Sequence, residues 1–181
     1  GVHKARCYML LDLGTRQEEW NGEISHKEKV LVSWELPERL KENNEPETIS
    51  KWYTKSTYEG ANIVKDLVSW RGKPFTEAEQ KKFVLDNIVG KPCLINVTHQ
   101  KTGKAKVSAV MGIPSGTKIA EQMMTTMLFD LKEYQNGNTE KFNALPEWCR
   151  KEILKCEELQ NIEEDSHEAN VPDDDENEVP F

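Results

Sequence analysis

The segment Lys27-Glu-Lys-Val-Leu-Val-Ser-Trp-Glu-Leu36 decides the fold class, because its side chains separate into two faces with a period of two. One face is wholly apolar and the other is largely polar: Val30, Val32, Trp34 and Leu36 against Lys29, Leu31, Ser33 and Glu35. This period is typical of a strand with one face in a hydrophobic core, so we expect Trp34 in that core. Pro37, which has no backbone N–H to donate, is expected to end the strand.

Strand signals also lie on both sides of this segment. Residues 3–13 predict a long first strand that ends at Gly14. Residues 48–55 are rich in β-branched and aromatic side chains, which are typical of strands, and they predict a third one. The first third of the chain is therefore expected to be a sheet.

Between residues 58 and 90 the spacing of the apolar residues changes from that of strands to that of helices. Apolar side chains within residues 58–70 recur at helical spacing, and residues 75–88 predict a second helix. Thr76 and Glu79 match a capping box at the start of that helix, and Gly90 is expected to stop it.

Two more strands follow these helices. They are predicted over residues 93–99 and 104–111, and the Lys101-Thr-Gly103 turn between them is typical of a hairpin. Five strands with a helix between the third and the fourth are the element order of the OB-fold, a partly open Greek-key barrel. Other β-rich folds share this order. The sequence therefore predicts a mainly β protein with added helices (α+β), in which the five strands form an OB-fold barrel.

The chain is expected to have three parts. An OB-fold nucleic-acid-binding domain is predicted in residues 1–116, a helical extension packed on the barrel in 117–160, and a disordered acidic tail in 161–181. Within the extension, residues 145–159 predict a helix whose buried stripe is Trp148, Cys149, Ile153 and Cys156.

The charge is distributed unevenly along the chain. The 181 residues contain 24 Lys plus Arg and 32 Asp plus Glu, a formal net charge of −8. Nine of the acidic residues and none of the basic ones lie in 161–181, which leaves a net charge of +1 for residues 1–160. A segment so charged and so poor in apolar residues cannot offset the entropy lost on folding, which is why disorder is predicted there.

Several classes of function are disfavoured by composition and motifs. No apolar run approaches the roughly 18 residues that a membrane span needs. The four cysteines are scattered without a C-x-x-C pair and no signal-like segment opens the chain, so we expect reduced thiols and a cytoplasmic location. Residues 112–118 depart from the phosphate-loop pattern, because Thr117 follows Gly116 where Lys is required. His3 and His99 are isolated, and we expect no enzymatic activity, no cofactor and no metal.

Aromatic and basic residues are interleaved in the predicted strands. Single-stranded nucleic acid is held by this combination, since rings stack on bases at roughly 1–3 kcal/mol each while Lys and Arg contact phosphates. Lys51, Tyr53 and Lys55 share one strand face and Trp52 lies on the other, so the pattern leaves open which face is the groove and which is core. The predicted DNA-binding residues are Arg6, Lys51, Trp52, Tyr53, Lys55, Lys104 and Lys106, with Lys29 a lesser candidate because Glu35 shares its strand face.

The final nine residues, Asp173-Asp-Asp-Glu-Asn-Glu-Val-Pro-Phe181, combine an acidic run with one aromatic ring. The charges would steer the segment toward basic surfaces, and Pro180 limits the conformational freedom lost on binding. The pattern fits either a solubility tail or a recognition motif. If it is a recognition motif, the partner-binding residues are Asp173, Asp174, Asp175, Pro180 and Phe181.

Two parts of the sequence resemble known families. The last nine residues are similar to the C-terminal tip of bacterial single-stranded DNA-binding proteins, which ends in an acidic run, an apolar residue, Pro and Phe. The body resembles instead bacteriophage single-stranded DNA-binding proteins of OB-fold type. That likeness lies in Ser69-Trp-Arg-Gly-Lys-Pro-Phe-Thr76, in Gly90-Lys-Pro-Cys-Leu-Ile-Asn-Val97 and in the hairpin that runs through Gly103 to Pro114.

The resemblance implies a protein that coats single-stranded DNA, without strong sequence preference, during phage DNA replication or recombination. It implies that the acidic tail recruits replication and recombination proteins and competes with DNA for a basic groove. The location would be the host cell cytoplasm if the protein is phage-encoded. The alternative is a non-enzymatic protein–protein adaptor with an OB-like barrel and an acidic docking tail, and the salt dependence of nucleic-acid binding separates the two.

Overall fold

The computed structural model describes residues 1–161. The predicted disorder of the acidic tail and the partner-binding residues of its tip fall on residues 162–181 and lie outside the described part of the chain. The strands are β1 (Val2–Trp20), β2 (Glu23–Leu40), β3 (Pro46–Thr54), β4 (Pro92–His99), β5 (Ala105–Met111) and β6 (Met127–Phe129). The helices are α1 (Asn62–Arg71), α2 (Glu77–Lys82), a 3-10 helix (Leu85–Ile88), α3 (Leu131–Gln135), α4 (Glu140–Asn143) and α5 (Glu147–Ile153).

Five of the strands form an antiparallel sheet in the order β3-β2-β1-β4-β5. The sixth strand, β6, pairs in parallel with β1 at Met9, Leu10 and Leu11. The predicted order of three strands, helices and two strands is confirmed. The fold is therefore a mainly β, open six-stranded sheet with added helices, and β3 and β5 are its two edges.

The first two strands are longer than predicted and form one hairpin. Asn21 and Gly22, with φ of 51° and 79°, make the turn between Trp20 and Glu23. Positive φ at both central residues matches the twist of paired strands, which is why Asn-Gly is favoured in such turns. This hairpin places the β1–β2 turn well beyond the rest of the sheet.

The predicted ends of the first two strands are wrong. The chain passes Gly14, at φ 63°, where the register between β1 and β2 shifts between Asp12 and Thr15. It also passes Pro37, where the β2–β3 register shifts after Leu36. Gly and Pro in a strand often mark such bulges, which bend the strand without ending it.

A first hydrophobic core lies between one face of the sheet and α1. Trp34 is fully buried there, as predicted, and its ring centroid lies 6.4 Å from that of Trp70. The buried residues of this core come from both edges and the centre of the sheet as well as α1, and include Ala5, Cys7, Leu10, Val30, Val32, Leu36, Ile63, Val64, Ile95, Val107 and Val110.

A second core covers the opposite face of β1. Because both faces of this strand are buried, its central part is almost continuously apolar instead of alternating. The covering side chains come from β6 and the short helices after it. The members are Tyr8, Met9, Leu11, Leu13, Leu31, Phe129, Leu131, Phe142, Leu145, Cys149, Ile153 and Cys156.

The polar face predicted for β2 is therefore not a solvent face. Leu31, Ser33 and Glu35 are all buried. The Glu35 carboxylate accepts hydrogen bonds from the backbone N–H groups of Met123 (2.9 Å) and Met124 (2.6 Å). It thereby ties the segment that precedes β6 to the sheet.

The helices are shorter than the sequence predicts. The capping box of Thr76 and Glu79 is present, but α2 ends at Lys82 because Phe83 and Val84 are extended before the 3-10 helix. The helix predicted over residues 145–159 is regular only over α5, and Trp148 is 49% exposed, so its place in the buried stripe is corrected. Within residues 1–161, no helix is long and apolar enough to cross a membrane.

Candidate nucleic-acid interface

Trp52 is the exposed aromatic residue of β3. Residues 48, 50 and 52 are exposed and alternate with the more buried Ile49, Lys51 and Tyr53. Trp52 lies opposite Leu31 of β2 and is 46% exposed. The guanidinium carbon of Arg16 is 5.5 Å from its ring centroid, a cation–π distance that helps to orient the ring.

A basic groove runs between the two edge strands on one side of Trp52. We call it the β3–β5 groove; it has a volume of about 460 Å³ and is lined by Ser50, Lys51, Trp52, Asn62, Gln100 and residues 104–108. Lys51, Lys104 and Lys106 contribute three positive charges, and no carboxylate of residues 1–161 lines it. Lys104 and Lys106 are exposed and make no ion pair with any residue of 1–161. The groove therefore offers two uncompensated ammonium groups beside an exposed ring.

A second groove, of about 420 Å³, adjoins Trp52 on the β1–β2 hairpin. This hairpin groove is lined by Arg16, Gln17, Glu18, Lys29, Trp52, Lys155, Glu157 and Gln160. Its charge is partly compensated, because Lys29 Nζ lies 2.5 Å from Glu18 Oε1 and the hydrogen bond from Lys29 lowers the pKa of Glu18. Trp52 lines both grooves and so lies where they meet.

Tyr53 belongs to the core and offers no ring face for stacking, which corrects its predicted role. Only 5% of it is exposed, and its hydroxyl donates to Asp66 Oδ2 at 2.7 Å. Burial, and then the Asp66 carboxylate, raise the pKa of Tyr53, so the hydroxyl keeps its proton. Lys51 Nζ donates to the same Asp66 oxygen at 2.6 Å, so its charge is already paired.

Two predicted phosphate contacts lie elsewhere. Arg6 donates to the backbone carbonyls of Gly90 (2.8 Å) and Ala120 (2.9 Å). Lys55 lies 4.0 Å from Asp12 and 3.9 Å from Glu28. Neither residue lines the two grooves. The predicted residues that the structure brings together are Lys51, Trp52, Lys104 and Lys106.

The sequence interpretation missed Arg16 and Lys155. Arg16 lies in the part of β1 beyond Gly14, opposite Lys27 in the hairpin. The Asn21-Gly22 pair is a strong hairpin signal and would have extended both strands far enough to place Arg16 beside β2. Lys155 reaches the groove only through the packing of the C-terminal helices, for which no local signal exists.

In comparisons with known proteins, no family model matches the chain, and no curated protein or solved structure matches it. Among residues 1–161, no group of three or more His, Cys, Asp or Glu side chains is placed to hold a metal ion.

Proposed function

We propose that this chain is a non-enzymatic, OB-fold-type protein that binds single-stranded DNA without strong sequence preference. The observation that carries the proposal is Trp52, an exposed ring at the junction of two grooves, beside Lys104 and Lys106, which form no ion pair within residues 1–161. An aromatic platform next to ammonium groups suits any base sequence, because every base has a ring face and every nucleotide a phosphate.

The topology supports the OB-fold part of the proposal. OB-folds bind oligonucleotides on the face of strands 2 and 3 and with the loops between strands 1 and 2 and between strands 4 and 5. Here Trp52 lies on β3 beside β2, the hairpin groove is lined in part by Arg16, Gln17 and Glu18 of the β1–β2 hairpin, and Lys104 follows the β4–β5 turn. Side chains of the two edge strands, β3 and β5, also line one groove. In a partly open barrel, the two edge strands approach each other in this way.

The biological role belongs to the same proposal. A protein of this kind would protect single strands during DNA replication or recombination, in the cytoplasm of the host cell. Residues 173–181 would recruit replication and recombination proteins by their carboxylates and the Phe181 ring.

Replacing Trp52 tests the proposal directly. We expect Trp52→Ala to weaken binding of fluorescently labelled oligo(dT), measured by anisotropy, by roughly 5- to 150-fold, which corresponds to about 1–3 kcal/mol for one lost stack. Trp148→Ala is the matched control, because Trp148 is 49% exposed on α5 and lines neither groove. Equal effects of the two substitutions would contradict the assignment of Trp52. A lack of binding by the unaltered protein at low salt would favour the adaptor.

A further inference from the structure

A third groove lies between α1 and α2 and shares no lining residue with the grooves around Trp52. We call it the α1–α2 groove; its volume is about 620 Å³. Its apolar wall consists of Leu67, Trp70, Phe75 and Phe83, and Lys82 and Lys91 lie at its rim. It differs from the β3–β5 groove, which has one aromatic residue, because three aromatic rings line it.

The aromatic wall is built by side chains that fix one another. The ring centroids of Phe75 and Phe83 are 4.9 Å apart in a tilted arrangement, and the Arg71 guanidinium carbon lies 4.6 Å from the Phe75 centroid. Trp70 Nε1 donates to the Pro92 carbonyl at 2.9 Å, which satisfies the polar edge of that ring. The groove is therefore pre-formed for another aromatic ring, because tilted aromatic pairs are favourable beyond the area they bury.

The charge around this groove is positive. The Glu79 carboxylate already has partners within the protein. It accepts a hydrogen bond from Arg71 and, at 2.9 Å, another from the Thr76 backbone N–H. The hydrogen bonds from Arg71 hold the pKa of Glu79 at about 2, so this carboxylate stays ionised. Lys82 and Lys91 are exposed and make no ion pair within residues 1–161. A ligand that carries carboxylates beside an aromatic ring would match this surface.

We propose that the α1–α2 groove binds residues 173–181 of the same chain, with Phe181 among the aromatic rings and the acidic run against Lys82 and Lys91. The composition of residues 162–181 complements this groove. The segment contains one Phe, Tyr or Trp residue, which is Phe181, together with several carboxylates and no Lys or Arg. Opposite charges around an apolar anchor fix the register of a bound segment.

The chain length permits this contact. The eleven residues between Asn161 and Asp173 can span up to about 36 Å when extended. A body of this size has a radius of gyration of roughly 15 Å, so this linker is longer than twice that radius. A segment docked here does not compete with DNA for the Trp52 grooves. It would leave the α1–α2 groove when it recruits a partner through Phe181.

Fluorine NMR of the full chain labelled with 4-fluorophenylalanine tests the proposal. Phe181→Leu identifies the Phe181 resonance. We expect this resonance to be displaced in the intact protein from its position in the free, labelled peptide of residues 173–181. An excess of the unlabelled peptide should return it to the free position.

Two kinds of variant locate the docked segment. Lys82→Glu combined with Lys91→Glu should return the Phe181 resonance to the free position by charge repulsion, and Ala78→Trp should do so by filling the groove without removing a core side chain. Lys132→Glu with Lys151→Glu is the matched control, since both residues are exposed and neither lines the groove. It should leave the resonance displaced.

Three results would overturn the inference. They are a Phe181 resonance at the free position in the intact protein, a displacement that survives both groove variants, and a displacement that grows with protein concentration. The last result would place the segment in a second copy. Oligo(dT) binding is measured separately, so the docking can fail without bearing on the proposed function.

Discussion

Glu35 shows how one buried side chain can join two parts of the molecule. It is fully buried, and its carboxylate accepts the backbone N–H groups of Met123 and Met124. Removing it would leave two donors without a partner at the junction of β2 and the C-terminal segment.

We expect Glu35→Ala to lower the free energy of unfolding by about 1–3 kcal/mol, the cost of leaving these two backbone donors without their acceptor. Glu35→Gln keeps the volume and one acceptor oxygen, so its effect should be smaller. Urea denaturation of the two variants beside the unaltered protein measures both changes. An unchanged midpoint for Glu35→Ala would show that this carboxylate does not stabilise the fold.

The neighbours Trp52 and Tyr53 show how much the alternation of side chains along a strand can predict about each residue. Alternation along β3 correctly places them on opposite faces, one of which lies in the core. Alternation does not show which face is buried, because that depends on where α1 packs. Asp66 of α1 accepts a hydrogen bond from the Tyr53 hydroxyl. A partner so distant in sequence leaves no trace in the local pattern.

The packing of the C-terminal helices on β1 depends on Gly14. This residue has φ 63°, and a Cβ atom there would lie 2.6 Å from Cys156 Cβ and 2.9 Å from Leu131 Cδ2. Gly22 in the hairpin turn has φ 79°, and within residues 1–161 no atom outside its two chain neighbours lies within 4 Å of such a Cβ. The two glycines thus share a backbone requirement but differ in their surroundings.

We expect Gly22→Ala to cost about 1–2 kcal/mol, the strain of a left-handed conformation in an L-residue. Gly14→Ala should destabilise the protein clearly more, because the same strain is joined by a steric conflict with the second core. Thermal denaturation of both variants gives the comparison. Equal losses would mean that residues 131–156 do not pack on β1 as described.

Element order could be predicted from the sequence more easily than element ends. Period-two patterns and β-branched residues identify the strands because both reflect the local backbone. The ends depend on tertiary contacts: β1 continues past Gly14 because β2 pairs with it and Thr15 donates hydrogen bonds to the Glu158 carboxylate. For the second core, the sequence predicts only that helices pack on the sheet. Its individual members are not predicted, because helices of one or two turns have weak hydrophobic periodicity.

At the scale of the whole molecule, a basic groove exists on a nearly neutral body. Residues 1–160 carry a net charge of +1, yet three of their lysines and none of their carboxylates line the β3–β5 groove. Exposed carboxylates lie instead on the β1–β2 hairpin and on the loop after β2, and include Glu19, Glu23, Glu42 and Glu45. Composition could not predict this separation, because it arises only when distant segments fold together.

A titration of the full chain with oligo(dT), followed by tryptophan fluorescence at several salt concentrations, tests the central claim most directly. We expect quenching that weakens with salt, since each neutralised phosphate contributes a slope of about −0.7 in log K against log salt. Lys104→Ala with Lys106→Ala should flatten that slope by about 1.4, whereas Lys132→Ala with Lys151→Ala should leave it unchanged. Binding that does not respond to salt, or no binding at low salt, would contradict the account of this protein as a single-stranded DNA-binding protein.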